Sequence, residues 1–340
     1  MQDVARESGV SKMTVSRVLA GNNTVDAKMR RRVLRAAQRL DYVPNALAIN
    51  FGRNRSTFIG IATPFKDLLG TKFFGEVMVG FQSVVAGTGH DFALFDCTSE
   101  AIVNPKELAK IYRQKKAGGL FLMAPRLGDR YLKTLAELGV PFIVVGEWVT
   151  GKEVPSISCN DRQGIGLALS HLLELGHREI AYIGGESNAL GSARLRERAF
   201  VELARKARLP MPPHFLETGN YTVESGRAGA RRLLSAKRRP TGIIAANDLM
   251  AVGVLSVAHE FGLRVPDDLS VTGFDNLLAP ESEFSLTTVH QPVAKIAATA
   301  ARMLLDSMES GELTKGHVDV DVSLVVRDST GPVPGKKSRA

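Results

Sequence analysis

The sequence predicts an α/β protein in which two doubly wound parallel-sheet lobes follow an N-terminal helix-turn-helix head and a short hinge. Three observations carry this expectation. From residue 57 onward, short apolar runs alternate with amphipathic stretches, as parallel strands joined by crossover helices require. These runs fall into two consecutive sets of about four strands each. Residues 1–55 contain no such run, and they hold eleven of the 44 Lys and Arg against only four of the 35 Asp and Glu, hence most of the net charge of +9. A chain of 340 residues, 44% hydrophobic and 23% charged, fits a soluble protein of two or three domains.

Composition also excludes several classes. No stretch reaches the roughly 20 unbroken apolar residues of a membrane span, and the basic opening lacks the apolar run of a signal peptide. Cys97 and Cys159 lie far apart without CxxC spacing, so neither a disulfide framework nor a metal site is expected, and a reducing cytoplasm fits. The charge asymmetry points to a head that binds a polyanion, carried on a nearly neutral body. A solvated helix face is the ordinary alternative.

In the head, Val4, Ala5, Val10, Val15, Val18 and Leu19 form one apolar side of two short helices, broken at Ser8-Gly9, where glycine accepts the positive φ of a tight turn. Ser11 is a good N-cap for the second helix. Two helices so joined make a helix-turn-helix, whose second helix enters the major groove. Lys12, Met13 and Arg17 would then read base edges, Arg and Lys at guanine O6/N7 and Met at a thymine methyl. Thr14, Ser16 and Asn23 would hold phosphates and set register, and Ser11 is counted with them among the DNA-binding residues. A third helix over 27–40 starts from an Asp26 cap, with Met29, Val33, Ala36, Ala37 and Leu40 inward and Arg30, Arg31, Arg32 and Arg35 toward water or the DNA backbone.

The stretches "DVARESGVSKMTVSRVLAG" and "RRVLRAAQRLDYVPNALAINF" resemble the head of the LacI (lactose-repressor) family, whose pattern of D-V-A, V-S-x-x-T-V-S-R and Y-x-P-N is highly specific. The head is most similar to gluconate-repressor members. Members usually begin a few residues earlier with a capping threonine, which places the expected true start upstream of Met1. The resemblance implies a hinge helix within "NALAINFG", where Asn45 and Ala48 meet DNA and Phe51 stands where the family wedges a leucine into the minor groove. An apolar wedge unstacks a base step at a cost of a few kcal/mol, which extra contacts offset. Such a short helix orders only on DNA and beside its dimer mate.

Across the body, "TFIGIATP", "DFALFDCT", "GGLFLMAP", "PFIVVGEW", "SISCND", "EIAYIGG", "TGIIAAND" and "LSVTGFDN" read as strands, with helices over 74–88, 105–117, 162–175, 195–207 and 249–261. Doubly wound lobes bind ligands at the carboxyl ends of their strands. The markers "LLELGHREIAYIGG", "ANDLMAVGVL" and "VPDDLSVTGFDN" resemble the family's effector domain, which is periplasmic binding protein-like. The resemblance implies a cleft in which Arg196 grips ligand hydroxyls or a carboxylate and Asp275 accepts from hydroxyls. Asn247 and Gln291 add directional polar groups, and Phe73, Phe74, Trp148 and Tyr221 line or stack on the ligand. Each also has an ordinary reading, Asp275 and Asn247 as strand-end turn residues and Phe74 as core. Where relatives often carry Asp or Arg before Trp148, this chain has Gly146-Glu147.

The chain should cross between lobes near residues 160, 289 and 320. The expected divisions are a head over 1–44, a hinge over 45–56, an effector and dimerisation body over 57–330, and a disordered basic tail over 331–340. That tail lacks leucine heptads, so a homodimer on a palindromic operator is expected.

Rival signals are weak. "GEWVTGKE" has P-loop spacing, but Glu153 stands where Ser or Thr must reach Mg²⁺, and Trp148 crowds the loop. No G-x-S-x-G, HExxH or dinucleotide fingerprint occurs, and His171 and His177 do not make a metal site. No catalytic residue and no cofactor is therefore expected. The sequence reads as a ligand-controlled transcription factor, a repressor whose effector is gluconate or a related sugar acid, with a neutral sugar as the alternative. An activator, a corepressor-dependent regulator or a sugar-binding protein without DNA function are the remaining readings.

Overall fold

The computed structural model describes residues 1–19, 24–43, 56–63, 67–96, 104–123, 129–146, 154–186, 191–278 and 285–335. The head holds α1 (Gln2–Ser8), α2 (Lys12–Leu19) and α3 (Ala27–Arg39). Gly9 ends α1 at φ +60°, its N–H returning to the carbonyls of Ala5 and Arg6. Ser11 caps α2, its Oγ accepting the Thr14 N–H at 3.1 Å, and Asp26 caps α3 by accepting from the N–H groups of Lys28 and Met29. Val4, Val15, Val18, Val33, Ala36 and Ala37 close the core of the head. Met29 and Leu40, expected on its inner face, are each 44% exposed. They stand in the first turn of α3 and just past its last, where the shorter partner helices do not cover them.

The first lobe is a parallel sheet of β1 (Phe58–Thr63), β2 (Asp91–Asp96), β3 (Gly119–Met123), β4 (Phe142–Val145), β5 (Ser156–Cys159) and β11 (His317–Val320), in the order β11-β5-β4-β3-β1-β2. Its side chains alternate between two covered faces, as period two demands. Ile59, Ile61, Phe121, Ile143 and Ile157 pack with Val77 and Phe81 of α4 (Lys72–Val85) and Ala297 of α11 (Val293–Ser310). Leu120, Leu122, Phe142 and Val144 pack with Leu108 of α5 (Pro105–Arg113) and with Leu132 and Leu135 of α6 (Asp129–Glu137).

The second lobe is built from β6 (Ile180–Gly184), β7 (Leu216–Thr218), β8 (Gly242–Ala245), β9 (Ser270–Asp275), β10 (Thr287–His290) and β12 (Ser323–Val325), in the order β12-β10-β9-β8-β6-β7. Only the edge pair β10 and β12 is antiparallel. Helices α7 (Asp161–Glu174), α8 (Gly191–Lys206), α9 (Val223–Ser235) and α10 (Asp248–Glu260) cover it.

Each sheet thus has six strands among the described residues, not about four. The four that the sequence pattern misses are only three or four residues long, and "LET" for β7 and "HVDV" for β11 are largely polar as well. The chain passes between lobes after β5, after β10 and between β11 and β12, as expected. The passages are bonded together: Asn160 N–H donates to the Val320 carbonyl at 2.9 Å, and Val322 N–H donates to Gln163 Oε1 at 2.9 Å.

The tail departs from expectation at its start. Gly331 is buried because Ser270 and His177 both bond its carbonyl, and Val333 N–H reaches the Leu175 carbonyl. A polar, glycine-rich composition does not reveal backbone groups that the second lobe satisfies. His177 is fully buried. Its Nε2 lies 3.0 Å from the Gly331 carbonyl and its Nδ1 2.9 Å from Thr241 Oγ1, so Nε2 carries the proton and Nδ1 accepts.

Two measurements follow from this packing. A Cβ on Gly80 of α4 would stand 2.0 Å from the Ala294 carbonyl oxygen of α11, so Gly80→Ala forces the helices apart and should cost about 2–3 kcal/mol in chemical denaturation; an unchanged midpoint refutes the contact. Burial holds the His177 pKa below its ordinary 6.5, so the unfolded chain takes up the proton first. The stability is present above pH 6.5 and is lost as pH falls from there toward the folded value. The melting temperature should fall between pH 7.5 and pH 5.5, and His177→Gln should flatten that fall; equal slopes refute the assignment.

Candidate functional site

The head presents one chemically consistent face. Lys12, Met13 and Arg17 are exposed on α2, Met13 by 65%, while Val15 and Val18 of the same helix are buried. Neither the Lys12 nor the Arg17 side chain makes a hydrogen bond or ion pair with a described residue. An apolar side chain that water would otherwise disfavour, flanked by two cations that no described residue pairs, suits a groove with methyl groups and acceptor edges. Ser11 and Thr14 bond each other at 2.9 Å, and Ser16 is half-buried. Asn23, Asn45, Ala48 and Phe51 lie outside the described residues.

The second cluster stands where the lobes meet, at the carboxyl ends of β5, β8 and β9. Its centre is Arg196 of α8, only 6% exposed. Nε donates to Asp161 Oδ1 at 2.6 Å, Nη1 to the Ala246 carbonyl at 2.6 Å and Nη2 to Gln291 Oε1 at 3.4 Å, and the guanidinium lies 3.6 Å from the centroid of the Phe274 ring. Burial opposes its charge, but Asp161 and its acidic neighbours outweigh that and keep it protonated. Most of the fork that could grip a ligand is therefore spent within the protein.

Asp275 is the complementary case. Its carboxylate ends β9 half-buried and makes no hydrogen bond with a described residue. Burial pushes its pKa well up, against the pull of Arg196, and the neighbouring Asp248 and Asp161 add to the rise. Asp248 is pushed up to about 6 by burial, although Thr288 Oγ1–H and the Leu277 N–H both bond it.

The other expected groups divide. Gln291 joins Arg196, as above. Asn247 caps α10 by accepting the Met250 N–H at 2.9 Å and donates to the Tyr221 carbonyl at 3.1 Å, so its amide is a turn device first. Tyr221 is half-buried, with φ +67° and its ring against Gly185. Phe73 approaches Gly146 at the end of β4; Phe73 and Phe74 both pack against the core. Trp148 lies outside the described residues.

Sequence reasoning did not single out Asp161, Phe274, Cys159 or Asp248. Asp161 stood in plain view in "SISCND", but nothing in one sequence says that its carboxylate meets an arginine 35 positions away. The Cys159 thiol is pushed well up by burial, a packing group and not a nucleophile. Among the described residues, no group of His, Cys, Asp and Glu could hold a metal ion, and no helix is long and apolar enough to cross a membrane.

Comparison with known proteins agrees with both halves. Residues 1–45 match the family model described as bacterial regulatory proteins, lacI family, and residues 169–330 match that of a periplasmic binding protein-like domain. The chain is similar to the HTH-type transcriptional repressor CytR of Escherichia coli (strain K12), 31% identical over 336 residues, covering 98% of this chain and 97% of that protein. Among solved structures it is similar to the lac repressor dimer bound to operator and the anti-inducer ONPF, with TM-score 0.80, 28% identity and coverage of 97% and 98%. It is also similar to the complex of the transcriptional regulator CelR with cellobiose, with TM-score 0.73, 27% identity and coverage of 96% and 98%. A helix-turn-helix head, a two-lobed body with a polar cluster between its lobes, and relatedness along nearly the whole chain place this protein in the LacI family of DNA-binding, effector-regulated transcriptional repressors.

Proposed function

We propose that this repressor binds a palindromic operator as a homodimer through Lys12, Met13 and Arg17, with Ser11, Thr14 and Ser16 on phosphates, and releases it in response to a small neutral carbohydrate held between the lobes. We further place Asn23 on a phosphate and, as the family resemblance implies, Asn45, Ala48 and Phe51 on the DNA and Trp148 on the effector. The divisions at 44, 56 and 330 go with this reading, the body supplying both effector site and dimer contact.

The observation that carries the effector class is the charge balance at the lobe junction. Arg196, the cation expected to meet a sugar acid, is already paired with Asp161, whereas Asp275 offers a carboxylate that no described residue hydrogen-bonds. A gluconate carboxylate would bring a further negative charge beside Asp161, Asp248 and Asp275. A neutral sugar brings hydroxyls, which donate to Asp275 without charge repulsion. The CelR relative is solved with cellobiose, a neutral sugar, which supports the same class.

Two expected outcomes test this. With an operator selected from a random duplex pool, Arg17→Ala should weaken binding by about 1–3 kcal/mol while sugar binding stays intact, and the wild type should lose affinity steeply with added salt; unaltered operator affinity removes Arg17 from the interface. In thermal-shift measurements with D-ribose, D-glucose, cellobiose and D-gluconate, a neutral sugar should raise the melting temperature and D-gluconate should not. Asp275→Asn should abolish the response. A rise with D-gluconate alone overturns the neutral class.

A further inference from the structure

The turn that carries Asp275 is strained. Asp275 and Asn276 both have positive φ, +113° and +60°, a region that L side chains adopt at a cost and keep only where surroundings impose it. The surroundings here are specific. Asn276 Oδ1 accepts from Arg327 Nη2 at 2.7 Å, and Asn276 Nδ2 lies 3.3 Å from His290 Nδ1. The Asp275 carbonyl accepts the Gln291 N–H at 3.3 Å, and Asp248 Oδ2 accepts the Leu277 N–H at 2.8 Å.

Asp248 opens α10, while the other partners flank the lobe passages. His290 and Gln291 lead into the second passage, and Ser323, at the start of β12, pairs with His290 directly after the third. Arg327 lies two residues beyond β12. Its own pose is fixed from three sides: Nη1 donates to the Leu286 carbonyl at 2.7 Å, its backbone N–H donates to Thr287 Oγ1 at 2.9 Å, and Nη2 takes Asn276. A planar guanidinium bonded in two directions transmits position in a way that a lysine ammonium does not.

We propose that Arg327 is a positioning residue of the effector site: anchored to Leu286 and Thr287 at the start of β10, it holds through Asn276 the strained turn that aims Asp275 between the lobes, a turn that is itself bonded to His290 and Gln291 where the chain leaves for the first lobe. Arg327 itself touches no effector. It sets where the effector-binding carboxylate stands as a function of lobe geometry, so that movement of the passages and occupancy of the site act on each other. This rests on Asp275 being an effector ligand.

The test uses the full chain and three variants. Arg327→Met removes the bond to Asn276. Asn276→Gly removes that bond and the backbone strain together. Asn276→Asp keeps an acceptor for Arg327. Hydrogen exchange followed by mass spectrometry reads the turn without any effector, and titration calorimetry with whichever of D-ribose, D-glucose and cellobiose stabilises the wild type reads the site. In Arg327→Met, exchange across 275–277 and at Gln291 should rise about 10-fold, with α4 and β1 unchanged, and sugar affinity should fall about 10-fold. Asn276→Gly should keep its melting temperature and still lose that affinity, whereas a merely structural bond predicts that affinity is kept. Asn276→Asp should restore both readouts. Unchanged exchange in Arg327→Met overturns the proposal, as does raised exchange with unchanged affinity. If none of the three sugars binds the wild type, the neutral-carbohydrate reading fails by itself, and the exchange result still decides whether Arg327 holds the turn.

Discussion

One buried guanidinium organises the junction on which the body depends. Arg196 reaches the residue just past the first passage (Asp161), the residue just past β10 (Gln291), the end of β8 (Ala246) and the face of Phe274 in β9. A buried ion pair is a poor source of net stability, since well-packed apolar replacements are often neutral or stabilising by about 1–4 kcal/mol. Losing one partner alone costs about 3–5 kcal/mol, because the other charge is left stranded. The value of Arg196 here lies in constraint. Its planar fork fixes angles among four segments at once, which a cluster of leucines would leave free to slide.

That constraint acts where two sheets, each with its own helices, meet at a defined seam. Each sheet buries both faces, and its helices interlock, as Gly80 against Ala294 illustrates. A packed lobe of this kind is not continuously deformable. The passages are where two such lobes can shift against each other, and their bonds run between neighbouring passages, as from Asn160 to Val320. Ligand groups that bond Asp275 in one arrangement of the lobes and not in another supply differential affinity, the only quantity by which a ligand shifts such an equilibrium. About 1.4 kcal/mol of that difference is worth tenfold in the balance.

Much of this was legible in the sequence, for physical reasons that differ by element. The head was readable because caps and turns are local: Ser11, Asp26 and Gly9 each bond backbone within a few positions. Central strands were readable because burial on both faces demands continuous apolar runs such as "GLFLM". Edge strands such as "LET" were not, since they need only backbone pairing. The same divide runs through the site. Asp275 was visible as the polar end of an apolar strand. The internal engagement of Arg196 was not, because residue type predicts what a guanidinium can bond but not which of its partners the fold delivers first. Met29 and Leu40 failed for a related reason: periodicity assigns a face to a helix but says nothing about how long the opposing helices are.

The burial of Arg196 bears on how effectors are discriminated in such a seam. A cation with its charge already matched by Asp161 contributes hydrogen-bond geometry and little net field, whereas Asp275, raised by burial and unbonded by described residues, contributes an unmet demand for donors. In the proposed reading, ligands bearing hydroxyls satisfy that demand whatever their ring size, so that Asp275 would set the chemical class and the surrounding wall the individual. A carboxylate-bearing ligand must instead find a cation or protonate Asp275 on entry, which costs affinity as pH rises. Under the proposed reading, sugar acids are disfavoured by the acidic groups Asp161, Asp248 and Asp275 at the junction, not by any contact that a neutral sugar must make.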